Sequence, residues 1–126
     1  MSADVLVIED NEQNLYLITF LLERAGYRVT QARDGPEGIV KATVSVPGVI
    51  LLDIQLPGMD GFAVLEALRR IESLARVPII AVTSHAMAGD RERILAAGCD
   101  GYMEKPIDAE TFIADMERHR NRAGGG

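Results

Sequence analysis

The chain has 126 residues, 48% hydrophobic and 25% charged, with a formal net charge of −6; that fits one globular domain with a real core, and its acidic balance argues against the clustered Lys and Arg of a nucleic-acid binder. A single cysteine, Cys99, excludes an internal disulfide or a zinc–thiolate cluster and suits a reducing compartment. No apolar run approaches the ~18 residues of a membrane span, and the first residues lack the features of a signal peptide, so the expectation is a cytoplasmic protein without membrane insertion.

Short β-rich runs alternate with segments of helical period. Residues 5–8 (VLVI) are the continuous apolar run of a strand buried on both faces. From Glu12 to Ala25, Leu15, Ile18, Leu22 and Ala25 recur at helical spacing, and Gly26 is a stop signal. Residues 27–31 predict a second, less apolar strand near an edge. Asp34, Gly35 and Pro36 combine a turn with helix-start chemistry, and a short helix should reach about Val44. Residues 49–52 are the most apolar run and predict a central strand. A glycine-rich loop, 56–61, precedes a helix over 62–71 with Val64, Leu65, Leu68 and Ile71 on one face. A fourth strand is expected over 77–82, a helix over 88–97 ending at Gly98, and a fifth strand over 101–103. Asp108 can cap a last helix carrying Phe112, Ile113 and Met116. The basic stretch 118–122 reads as a solvated helix end that complements the helix dipole. His119 belongs to it and gets no special role, and Cys99 reads as a packed or loop thiol. Residues 1–122 form the expected domain, 123–126 a flexible tail, with no output domain. Alternating strands and helices imply an α/β fold, a doubly wound parallel sheet of five strands covered by five helices.

The informative residues stand where strands end. Glu9 and Asp10 follow the first strand, Asp53 the third, Thr83 the fourth, and Lys105 and Pro106 the fifth. Open α/β sheets bind ligands outside the carboxyl ends of their strands. If the first and third strands are neighbours, Glu9, Asp10 and Asp53 converge there. Three adjacent carboxylates either raise a pKa or bind a cation, and hard oxygen donors favour Mg²⁺ or Ca²⁺. Lys105 adds a positive charge and Thr83 a hydroxyl donor. A carboxylate nucleophile, a cation, a lysine and a hydrogen-bond donor together make a site for a phosphoryl group. Each residue alone is unremarkable; the reading rests on all of these strand ends offering compatible chemistry at once.

Over residues 4–120 the chain resembles the receiver domain of two-component response regulators, the CheY-like superfamily. The motifs that carry this are Glu9-Asp10-Asn11 after the first strand, Asp53 with Pro57 and Met59-Asp60-Gly61, Ala81-Val82-Thr83, and Lys105-Pro106. Asn14 and the run from Thr83 through His85 to Asp90 look most like the single-domain DivK type, which works in bacterial cell-cycle and polarity signalling. The resemblance implies a flavodoxin-like sheet of order 2-1-3-4-5. It implies that Asp53 accepts a phosphoryl group from a histidine kinase or histidine phosphotransfer protein. Glu9, Asp10, Asp53 and the Gln55 backbone carbonyl would hold Mg²⁺, Glu9 directly or through water. Thr83 and Lys105 would bind the phosphoryl oxygens, Tyr102 would be the switch aromatic, and the Lys105–Pro106 peptide would be cis. A downstream protein would read the face formed by the fourth helix, fifth strand and fifth helix, with Arg91, Ile94, Leu95 and Tyr102 as contacts. His85 would tune the lifetime of the phosphorylated state.

The protein is thus expected to be a signalling switch and not an enzyme, beyond self-catalysed phosphoryl transfer and slow autodephosphorylation. An aspartyl-phosphate phosphatase of the haloacid dehalogenase type needs an acid two residues after its nucleophile, where this chain has Gln55. A flavin or dinucleotide site would need glycines after the first strand, where residues 9–14 are acidic and glycine-free. A degenerate receiver acting only as a docking module would not need the intact acid set.

Overall fold

The computed structural model describes residues 3–56, 60–84 and 88–124. Five strands, β1 (Asp4–Ile8), β2 (Arg28–Ala32), β3 (Val49–Asp53), β4 (Ile79–Thr83) and β5 (Gly101–Glu104), form one parallel sheet in the order β2-β1-β3-β4-β5. Between and after them come α1 (Glu12–Arg24), α2 (Gly35–Val44), α3 (Gly61–Arg70), α4 (Ala88–Ala96) and α5 (Phe112–Gly124). This is the expected doubly wound architecture and strand order.

The strands are apolar without interruption because both faces of the sheet are covered. Val5, Val7, Val49, Leu51, Ile80 and Val82 point to the face packed by Leu15, Ile18 and Leu22 of α1 and by Phe112 and Met116 of α5. Leu6, Ile8, Ile50, Leu52, Ile79 and Ala81 point to the other face, against Ala42 of α2, Val64, Leu65 and Leu68 of α3, and Ile94 of α4. Period-two alternation in each strand therefore feeds two separate cores. At Gly38 of α2 an added Cβ would run into the Ile8 side chain, so a glycine lets that helix lie close on β1.

Several boundaries differ from those read in the sequence, most of them by a single residue. β2 is shifted one residue on, because the Tyr27 N–H turns back to the Leu22 carbonyl after Gly26 at φ +96°, while Ala32 pairs with Ile8. β4 starts at Ile79 and not at Val77: the Val77 N–H bonds back to Leu74, and Pro78 has no N–H to give a ladder. It runs on to include Thr83. Asp108 does not directly precede the last helix. Its carboxylate accepts the Glu110 N–H and its carbonyl those of Thr111 and Phe112, which makes a turn, and α5 begins at Phe112. α5 then continues through Gly124, past the boundary expected at 122, since Asn121, Arg122 and Ala123 are all compatible with a helix.

Nor is the basic end of α5 wholly solvated. Arg120 is buried, with its guanidinium 5.9 Å from the centre of the Tyr27 ring, and the Tyr27 hydroxyl donates to Glu117. His119 is half-buried, its ring against Gly101, where an added Cβ would strike it. A helix whose apolar stripe is short docks here through aromatic and cation–π contacts.

At the end of the sheet away from the acidic residues, one arginine joins three elements. Arg69, in the last turn of α3, donates to the Gly98 carbonyl at 2.9 and 3.0 Å, to the Val77 carbonyl at 2.9 Å and to the Asp100 carboxylate at 2.8 Å. Asp100 also accepts the Ile79 N–H at 2.8 Å. A planar fork of five donors can serve these acceptors together, and an ammonium cannot. Arg69→Lys and Arg69→Ala should therefore both lower stability, by about 1–3 kcal/mol. Urea unfolding checks this; a lysine variant as stable as the wild type would contradict the bridging role.

Candidate functional site

The carboxyl ends of β1, β3, β4 and β5 bring the sequence-predicted residues together. β1 pairs with β3 from Val5↔Val49 to Ile8↔Leu52, so Glu9 and Asp53 leave the sheet side by side. Asp53 lies opposite Val82 on β4, one residue before Thr83, and Thr83 lies opposite Glu104, one residue before Lys105. The Lys105 N–H donates to the Thr83 carbonyl at 2.8 Å. The Lys105–Pro106 peptide is cis, as expected.

Glu9, Asp53 and Thr83 are buried, at 1%, 2% and 1% exposure, whereas Asp10 faces solvent. One oxygen each from Glu9, Asp10 and Asp53 lies within 4.8 Å of the other two. The Lys105 ammonium stands 2.9 Å from Glu9 Oε1 and 3.1 Å from Asp53 Oδ2. The other oxygen of each buried acid takes a backbone amide: the Asn11 N–H reaches Glu9 Oε2 at 3.1 Å, and the Gln55 N–H reaches Asp53 Oδ1 at 2.8 Å. Asn11 also caps α1, its Oδ1 accepting the Asn14 N–H at 2.9 Å, so the loop bearing Glu9 and Asp10 is anchored at both ends.

The charges do not balance. Three carboxylates face one lysine, so full ionisation would leave two negative charges in a mostly buried cluster. Burial, and then the neighbouring Asp53 carboxylate, push the Glu9 carboxyl up to about 7, against the smaller pull of Lys105 and the Asn11 amide. Burial alone would lower Lys105; Glu9 and Asp53 outweigh it and hold the ammonium above its usual value. A divalent cation with hard oxygen ligands would restore neutrality, and the donor set fits Mg²⁺.

Tyr102 is half-buried against the core under α4. The Arg91 guanidinium lies 5.5 Å from its ring centre and 3.6 Å from Glu104. Leu95 is exposed, but Ile94 is 1% exposed and packs in the core; its expected role as a partner contact is thereby corrected, since the helix turns it inward. Cys99 is buried, and burial pushes its thiol up to about 12, so it is a packed and unreactive group. His85, Pro57 and Met59 lie outside the described residues. One contact was not legible in the sequence: the Ser84 hydroxyl and N–H both donate to Gln55 Oε1, at 2.5 and 3.3 Å. A cavity of about 230 Å³ beside it is lined by Ile54, Gln55, Phe62, Thr83, Asp90 and Ile94. Among the described residues, no helix is long and apolar enough to cross a membrane.

Residues 5–117 match the response regulator receiver domain family. The chain is 41% identical over 119 residues to the polar-differentiation response regulator DivK of Brucella ovis, covering 94% of this chain and 97% of that protein. In structure it is similar to the chemotaxis protein CheY4 of Vibrio cholerae, with a TM-score of 0.89 and 30% identity over 94% of this chain and 98% of that one. It is also similar to the receiver domain of a sensor histidine kinase from Pseudomonas aeruginosa, with a TM-score of 0.85 and 36% identity over the whole of both chains. That domain carries a magnesium ion coordinated in its active-site cleft.

The raised Glu9 group predicts a pH dependence of the metal-free protein. Its folded value, about 7, lies above the ordinary 4.5. The stability it contributes is complete below pH ~4.5 and is lost as pH rises through ~7, a change on the order of 3 kcal/mol. In excess chelator the thermal midpoint should fall between pH 5 and pH 8. Glu9→Gln, which cannot ionise, should flatten that slope, and an equal slope in both proteins would contradict the account.

Proposed function

The chain belongs to the response regulator receiver domain family, and on that premise we propose that Asp53 is its phosphoacceptor in an Mg²⁺-dependent switch. The observation that carries this is the convergence on one buried carboxylate of a lysine at 3.1 Å, two further acids and a buried threonine. An Asp53 oxygen attacks the phosphorus of a phosphohistidine on a kinase or phosphotransfer protein. The P–O bond forms and the P–N bond breaks, and the histidine nitrogen leaves with the electron pair and takes up a proton. Glu9, Asp10, Asp53 and the Gln55 carbonyl are the residues to hold Mg²⁺, which would supply positive charge against the transferring oxygens. Lys105 neutralises a phosphoryl oxygen, and the Thr83 hydroxyl donates to another.

The new anion favours whichever of two conformations brings Thr83 and Lys105 onto it. Tyr102 passes that choice to the face formed by α4, β5 and α5, where Arg91, Leu95 and Tyr102 itself are available to an effector protein. Similarity to the polar-differentiation response regulator DivK supports a place in polarity control. Gln55 argues against phosphatase chemistry: its side-chain oxygen already accepts from Ser84, and an amide has no proton to give as an acid. The protein then acts as a switch and not as a turnover enzyme.

Asp53→Asn should abolish acid-labile phosphorylation by any donor, and beryllium fluoride should bind the wild type only when Mg²⁺ is present. Stoichiometric label retained on the Asn variant would overturn the assignment.

A further inference from the structure

The β3–α3 and β4–α4 loops, 29 residues apart in sequence, are joined across the mouth of the site by one side-chain pair. Gln55 Oε1 accepts both the hydroxyl and the backbone N–H of Ser84. Because a backbone N–H can only donate, the orientation of the Gln55 amide is set by this contact. The rest of Gln55 is committed to the site, since its N–H donates to Asp53 Oδ1 at 2.8 Å. Gln55 is exposed. Holding it costs rotamer entropy, which two donors on one oxygen offset.

We propose that Ser84 is a positioning residue: through the Gln55 side chain it fixes the Gln55 backbone, and with it the orientation of the Asp53 carboxylate and the affinity of the site for Mg²⁺. The inference rests on the functional reading of Asp53 and Gln55 given above. The N–H and the carbonyl of Gln55 belong to the two peptides that flank its Cα; the N–H donates to Asp53 and, on the functional reading above, the carbonyl serves the cation, so a displacement of the Gln55 backbone disturbs both contacts. Ser84 also follows Thr83 directly, and the Thr83 carbonyl is held by the Lys105 N–H. The strap thus ties the cation loop to the strand end that grips the phosphoryl group. Any coupling it carries acts equally in both directions, so that occupancy of one side favours the other.

The test uses the full chain as Ser84→Ala, Ser84→Thr, Gln55→Met and the Ser84→Ala/Gln55→Met double variant. Two readouts need no phosphoryl transfer: exchange of the Gln55 amide proton in the metal-free protein, and Mg²⁺ titration followed by amide chemical shifts. In Ser84→Ala the Gln55 amide should exchange faster, and Mg²⁺ should bind roughly twofold to fivefold more weakly, the range expected for one exposed hydrogen bond. Ser84→Thr keeps a hydroxyl and should stay near wild type. In the Gln55→Met background, Ser84→Ala should add nothing, because the partner is already gone. Wild-type exchange and affinity in Ser84→Ala, or an undiminished effect in the double variant, would overturn the proposal. A wild-type protein that does not bind Mg²⁺ would instead overturn the functional reading, and the exchange measurement would still decide whether Ser84 positions the Gln55 backbone.

Discussion

One ammonium group shared by two buried carboxylates organises this molecule. Lys105 Nζ stands 2.9 Å from Glu9 and 3.1 Å from Asp53, and both acids are almost wholly out of water. Without the lysine, two like charges would lie in contact inside the protein, which costs several kcal/mol or forces one to hold a proton. With it, the pair is tolerated but not balanced, and Asp10 at the rim adds a third negative charge. Burial first, and then the adjacent Asp53 carboxylate, raise the Glu9 group.

The sheet exists around this constraint. Three loops must deliver two acids and a lysine to one point, and parallel strands do so because all their carboxyl ends lie on one side. The order β2-β1-β3-β4-β5 places the reversal of winding at β1 and β3, which opens a crevice where Glu9 and Asp53 emerge. Burial of both sheet faces then makes the strand ends stiff. Two nearly continuous cores leave β3 and β4 fully buried along their whole length. The opposite end of the sheet is locked independently by the Arg69 fork, so the two ends answer to different interactions.

Sequence pattern reads this sheet well, since a strand buried on both faces is a run such as Val49 to Leu52 that no other element mimics as well over so short a length. It reads the acids well for a related reason: a charged residue directly after such a run stands at the strand end by necessity. It fails where a backbone bond and not a side chain decides. Val77 is apolar and β-branched yet closes a turn to Leu74, and Pro78 removes the donor that would have extended β4. It fails also where partners are distant in the chain. Arg120 looks like part of a solvated basic end until Tyr27, on the far side of the sequence, covers it. Ser84 and Gln55 carry no pattern at all, and only the closure of the sheet brings them within 2.5 Å.

On the proposed reading, the charge that phosphorylation adds at Asp53 gives a reason for switching and not merely for binding. An aspartate that becomes an acyl phosphate exchanges its single carboxylate charge for the nearly two charges of a phosphoryl group, moved outward from the buried carbon. On the proposed reading Lys105 would then face Glu9 on one side and a larger, displaced anion on the other, and the arrangement that suited the free acid would no longer suit the product. The strain falls on the neighbours that can follow the charge. Thr83 has a hydroxyl and lies at a strand end whose carbonyl is already bonded to the Lys105 amide. If Thr83 moves, the half-buried Tyr102 on the adjacent strand gains room, and the Arg91 guanidinium that lies over its ring must adjust with it. On the proposed reading, the deficit of positive charge calls for the divalent cation, and the charge that phosphorylation adds and displaces calls for the conformational response, at the same five side chains.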